Sequence, residues 1–111
     1  MGQNQSVMVI FRSRLNPVSG AEYQRMAERM DTLARSMPAF TSFKTFAAPD
    51  GERVSIVEFE SERAVSAWTN HREHLEAQRR GREAFYSEYR IQVPSPIRER
   101  TFKRPESQEP A

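Results

Sequence analysis

Residues 40–59 read FTSFKTFAAPDGERVSIVEF, two apolar stretches on either side of Pro49-Asp50-Gly51. Proline presets a turn φ, aspartate hydrogen-bonds to its own backbone, and glycine accepts a left-handed conformation. The β-branched and aromatic residues around this turn suit a pleated, half-buried surface. The stretch predicts an antiparallel hairpin with strands over 40–48 and 53–59. Alternation in the first strand is irregular, with Phe40, Ser42, Lys44 and Phe46 set against Thr41, Phe43 and Thr45. In the second, Val54 and Ile56 fall on one side and Val57 and Phe59 on the other.

Upstream of the hairpin, Tyr23, Met26, Ala27, Met30, Leu33, Ala34 and Met37 form a stripe at helical spacing, and Pro38 stops it. Ser19-Gly20-Ala21-Glu22 fits a capping box at its start. Ahead of the break at Asn16-Pro17, Ser6 to Arg12 reads as a strand built on Val7-Met8-Val9-Ile10-Phe11. Downstream, Ser61 suits the cap of a second helix from Glu62 to Arg80, which Gly81 interrupts. Ala84-Phe85-Tyr86 allows one more turn, and Tyr89 to Val93 reads as a last strand closed by Pro94.

The order is βαββαβ. Two right-handed β-α-β units interleaved in this way predict an α+β, ferredoxin-like domain over residues 6–94, an antiparallel four-stranded sheet with both helices on one face. From Pro94 onward the chain carries four of its seven prolines. Residues 95–111 are therefore expected to be a Pro-rich extension, with a short edge strand at 97–102 and disorder after it. The first strand is apolar on both sides, Val7, Val9 and Phe11 against Met8 and Ile10. A sheet with helices on one face only then needs a cover for the other, so a homodimer through the sheet face is expected.

Composition narrows the chemistry. With no cysteine, disulfides, thiolate metal sites and cysteine nucleophiles are ruled out. Four glycines and no Gly-rich phosphate loop argue against a nucleotide cradle. The isoelectric point near 9.4 overstates the basic character, because the formal net charge is only +2. Arg79-Arg80 and Arg82 are flanked by Glu76 and Glu83, which argues against nucleic acid. The longest apolar run, five residues, is far below the roughly 18 a membrane helix needs. Residues 1–6 lack the features of a secretory signal, so no membrane association and a cytoplasmic location are expected.

One segment, Trp68-Thr69-Asn70-His71-Arg72-Glu73-His74, holds the only tryptophan and both histidines. On a continuous helix, at about 100° per residue, Trp68 and His71 share a face with Ala64 and Leu75, and His74 lies nearer the flank. Spacing therefore turns His71 inward. A tryptophan facing a sheet is most often packing, and a histidine beside it is most often simply hydrogen-bonded. Two histidines at i,i+3 without a third ligand do not make a metal site. Arg90, flanked by Tyr89 and near Tyr86, is a candidate to hold an anionic or phenolate substrate.

Taken together, VMVIFR, the helix ending before Pro38, F-x-x-F-K-T-F, VSIVEFES and the segment W-x-x-H-x-E-H-x-x-A-Q-x-x-G-R-x-x-F-Y-x-x-Y-R-I-Q-V resemble the antibiotic biosynthesis monooxygenase (ABM) superfamily over about residues 6–102. The resemblance implies a dimeric α+β barrel with a pocket between helices and sheet in each protomer. Some members oxidise polycyclic phenols to quinones with dioxygen and without metal or flavin, others degrade haem, and many have no established activity. In the quinone-forming members a tryptophan on the second helix lines the pocket, with a polar ring residue six positions on and an arginine from the last strand region. Trp68, His74 and, loosely, Arg90 match those places. Ala64 stands where those members have an asparagine. Gln78 occupies the place of the haem degraders' histidine, and the first strand lacks their asparagine, so haem degradation is disfavoured.

Spacing favours His71 as the pocket histidine and resemblance favours His74. The expected function is a cofactor-independent monooxygenase acting on an aromatic or phenolic small molecule with dioxygen as co-substrate. His74, His71 and Trp68 are its candidate catalytic residues, and Arg90, Phe43, Phe59 and Tyr86 its candidate substrate-binding residues. The alternative is a non-catalytic ligand-binding or stress-response dimer on the same fold.

Overall fold

The computed structural model describes residues 6–17 and 20–105. Strand β1 (Val7–Leu15) leads to helix α1 (Gly20–Ser36), strands β2 (Phe40–Ala47) and β3 (Arg53–Phe59), helices α2 (Glu62–Thr69) and α3 (Arg72–Arg80), and strand β4 (Tyr86–Gln92). A single π turn, Gly81–Phe85, joins α3 to β4. The sheet order is β2-β3-β1-β4 and every neighbouring pair is antiparallel, the ferredoxin-like arrangement. The Ser19 cap and the fate of residues 106–111 lie outside the described residues. Residues 97–102 form no strand, contrary to expectation, and Ile97 and Phe102 are exposed.

Strand register separates the two faces. Val7–Phe59, Val9–Val57, Phe11–Ser55 and Ser13–Arg53 pair across β1 and β3 on the helix side. Met8–Glu58, Ile10–Ile56 and Arg12–Val54 pair on the other side. The irregular alternation of β2 has a cause: the register shifts between Phe40 and Ser42. One extra residue there places Phe40 and Phe43, three apart, on the same inner face. A second shift, between Arg14 and Leu15 against β4, does the same for Tyr86 and Tyr89.

The core consists of Val7, Val9, Ala34, Val57, Phe59, Val65 and Trp68, with Leu33, Met37, Phe40 and Phe43 packed against it. Helix α1 supplies its stripe as expected, whereas α3 has no buried residue. Exposed ion pairs tie α3 to α1 instead, Arg29–Glu73 and Arg80–Glu22, both at 2.7 Å. Such pairs contribute well under about 1 kcal/mol each and weaken in salt.

The single helix expected over Glu62–Arg80 is broken. Ser61 caps α2 by accepting from the Ala64 amide, as its sequence suggests. Asn70 then ends α2, and His71 starts α3 as its N-cap, its Nδ1 accepting from the Glu73 amide at 3.1 Å. Asparagine and histidine both compete with the helix backbone through their side chains, so the run yields at Asn70-His71. Leu75, assigned to the inner face by continuous periodicity, is consequently exposed.

Candidate functional site

A cavity of about 560 Å³ lies between the helices and the inner sheet face. Its floor includes Val9, Phe11, Val57 and Ile91, its helix side Tyr23, Met26 and Met30, and one end Trp68 and His74. A volume of this size suits a small organic ligand.

The helix break builds the Trp68 end. Because α3 restarts at His71, the His74 ring meets the Trp68 ring edge-on, with centroids 4.4 Å apart. Trp68 is itself buried, tilted against Phe59 and edge-on to Phe43. Burial pulls the His74 pKa down from 6.5 to about 4, with a smaller contribution from His71 in the same direction. The imidazole is therefore neutral near pH 7.

Its tautomer follows from Gln78. The Gln78 Nε2 amide donates to the Thr69 carbonyl at 3.2 Å and lies 2.9 Å from His74 Nδ1. A carbonyl only accepts, so the group facing it is the NH2, and an NH2 only donates. Nδ1 must then accept, and the neutral ring carries its proton on Nε2. His74 is thereby a hydrogen-bond donor through Nε2 and a poor base.

The other end is aromatic and cationic. Tyr23, Phe85, Tyr86, Tyr89 and Phe11 form a connected set of ring contacts. Burial, and next the contact with Tyr23, raises the Tyr86 pKa and keeps its phenol protonated. The Arg53 guanidinium lies over the Tyr23 ring, 5.8 Å from its centroid. Thr45 and Ser55, cross-strand neighbours on the cavity wall, share a 2.8 Å hydroxyl contact. Two buried side-chain donors lack a partner among the described residues, Arg53 Nε and Trp68 Nε1, and both residues line this cavity. Among the described residues no group of three His, Asp or Glu side chains gathers as a metal site.

Four of the seven residues singled out by sequence, Trp68, His74, Phe43 and Tyr86, line the cavity. Three do not. His71 is spent on capping α3. Phe59 is fully buried behind Trp68 as core. Arg90 stands opposite Arg12 on the sheet face turned away from the helices, because register gives its side of β4 the parity of Arg12 and not of Ser13. The arginine of the cavity is Arg53, which sequence reasoning missed. Its signal was present: position 53 has the parity of Val57 and Phe59, so a regular strand points it inward. Gln78 follows His74 by one turn of α3, so their contact is an ordinary i,i+4 pair; what sequence reasoning missed is the Thr69 carbonyl, which fixes the orientation of the Gln78 amide.

Comparison with known proteins places this arrangement. Residues 6–80 match the family model described as antibiotic biosynthesis monooxygenase. The chain belongs to that family. The uncharacterized protein YqjZ of Bacillus subtilis (strain 168) is 32% identical over 95 residues, covering 86% of this chain and 82% of the relative. Among solved structures, the Rv0793 protein of Mycobacterium tuberculosis superposes with a TM-score of 0.75 at 21% identity, over 86% of this chain and 99% of the other. SnoaB, a cofactor-independent oxygenase from Streptomyces nogalater, superposes with a TM-score of 0.73 at 13% identity, over 86% and 96%. These likenesses carry the ABM fold, α+β with a four-stranded antiparallel sheet.

Proposed function

We propose that this ABM-family chain is a cofactor-independent monooxygenase of small aromatic or phenolic compounds, with dioxygen as the co-substrate. The observation that carries the reading is the cavity end where the unpartnered Trp68 N–H meets a neutral His74 that donates through Nε2. The His74 Nε2–H, donated to a ring oxygen, stabilises the negative charge that accumulates there on ionisation. The reaction consumes one dioxygen: a ring CH2 or CH activated by a neighbouring oxyanion forms a C–O bond to O2. The resulting hydroperoxide breaks its O–O bond, yielding the carbonyl and one water. The chain contributes orientation, an apolar surround and oxyanion stabilisation. Since His74 is a weak base, the substrate must be acidic enough to ionise with water or a rim carboxylate as proton acceptor.

We also place the protein in a homodimer, the second copy covering the outer sheet face. Met8, Ile10, Val54, Ile56 and half-exposed Phe46 make that face apolar in its middle. A non-catalytic ligand-binding dimer is the second reading, favoured by the low basicity of His74.

The test is oxygen uptake with anthrone- and hydroquinone-type compounds. The oxygenase reading expects uptake above the uncatalysed rate, one carbonyl product per oxygen, and a loss of tenfold or more in His74→Ala, with Arg90→Ala near wild type. Tight binding of the same compounds with no uptake selects the second reading.

A further inference from the structure

The cavity has a second polar pole that the proposed chemistry does not use. Arg53 opens β3, and Val57, beside Trp68 on the cavity wall, lies four residues further, roughly 13 Å along the strand. The guanidinium is held against Tyr23, and none of the ion pairs among the described residues involves it. Among the described residues it is the one arginine that lines the cavity, and it does so without a carboxylate partner. Its Nε–H is moreover buried and without a hydrogen-bond partner. A buried, unsatisfied donor on a cation is costly unless something satisfies it. Carboxylates do line the cavity, at Glu28, Asp31 and Glu62, but they come from the helix side, and Asp31 is taken by Arg35. The sheet floor offers a cation at one end and neutral donors at the other.

We infer that Arg53 is the anion-recognising residue of this cavity, selecting planar aromatic ligands that carry a carboxylate at the end remote from Trp68. The planar guanidinium fork matches a carboxylate through two parallel N–H···O bonds, and the Tyr23 ring fixes its plane. The distance between the poles asks for a ligand two or three fused rings long with its carboxylate on a terminal ring. The inference rests on the small aromatic ligand of the proposed function, but not on its reaction with oxygen.

Binding without turnover tests it. Trp68 is the only tryptophan, so its emission reports directly on the cavity. Anthraquinone-2-carboxylate and its neutral carboxamide have nearly the same shape. The wild-type protein is expected to bind the acid at least tenfold more tightly than the amide. Arg53→Gln is expected to erase that ratio while leaving amide affinity within twofold, and Arg53→Lys to keep part of it. Equal affinities for acid and amide in the wild type overturn the inference, as does a ratio that survives in Arg53→Gln, or no binding of either compound. The wild-type comparison decides even if the Gln variant fails to fold. Because no oxygen chemistry is measured, a negative result here leaves the oxygenase reading to its own assay, and the converse also holds.

Discussion

His74 sits where two demands conflict. Placing an imidazole edge-on to a buried tryptophan strips it of water, and the protonated form suffers most. The sign of the consequence follows from the folded pKa of about 4 lying below the unfolded value of 6.5. Between these values the unfolded chain binds the extra proton, so stability is full above about pH 6.5 and is lost as pH falls toward 4. A gap of this size corresponds to on the order of 3 kcal/mol. Urea unfolding at pH 7.5 and pH 4.5 is expected to show that loss in the wild type and much less of it in His74→Gln. Histidine proton resonances should likewise show one ring still neutral at pH 5. The hydrogen bond from Gln78 adds direction, since it leaves Nε2–H as the side of the ring that can donate.

At the scale of elements, the two helix breaks around α3 carry most of what distinguishes this chain. Gly81 has ordinary helical dihedrals, so it is not a glycine for conformational reasons. It is a glycine for space: a Cβ there would stand 2.7 Å from Tyr86 Cε2 and 2.9 Å from Cδ2. The Tyr86 ring cannot retreat easily, being boxed in by Phe11, Tyr23 and Tyr89 at 5.2, 6.0 and 5.8 Å. Gly81→Ala is therefore expected to destabilise by about 1–3 kcal/mol and to weaken aromatic ligands, despite alanine's better helix propensity. Thermal unfolding and Trp68-detected binding check the two halves. The same region marks the limit of legibility. The hairpin, the stripe of α1 and the strand order follow from periodicity and turn residues, because those signals are local. The site does not, because it depends on a break at Asn70-His71 that turns the helix face, and on two bulges that change which residues look inward. Continuous periodicity put His71 in the cavity and His74 at the flank; the break reverses them. Arg53 was legible from strand parity, whereas Arg90 had the wrong one.

For the whole molecule, the outer sheet face is the open question that mass alone answers. Its centre is apolar, and its rim carries Arg12–Glu52 at 2.7 Å, Arg14–Asp50 at 3.1 Å and Arg14–Glu88 at 3.2 Å. Light scattering at micromolar concentration is expected to give twice the chain mass of 12.9 kDa. Ile56→Glu, placed mid-face, is expected to give the single mass while the fold persists; a wild-type monomer would remove the dimer. The pairing of β4 with β1 has a kinetic side. It joins Ile10 to Gln92 and Phe11 to Ile91, residues separated by most of the chain, and β4 brings Tyr86, Tyr89 and Ile91 to the cavity wall. Closing so long a loop is the slow part of assembling such a sheet. The ligand site thus has no existence apart from the finished topology. A ligand that recognises only that finished wall leaves the rate of folding alone and acts by delaying the departure of the last strand.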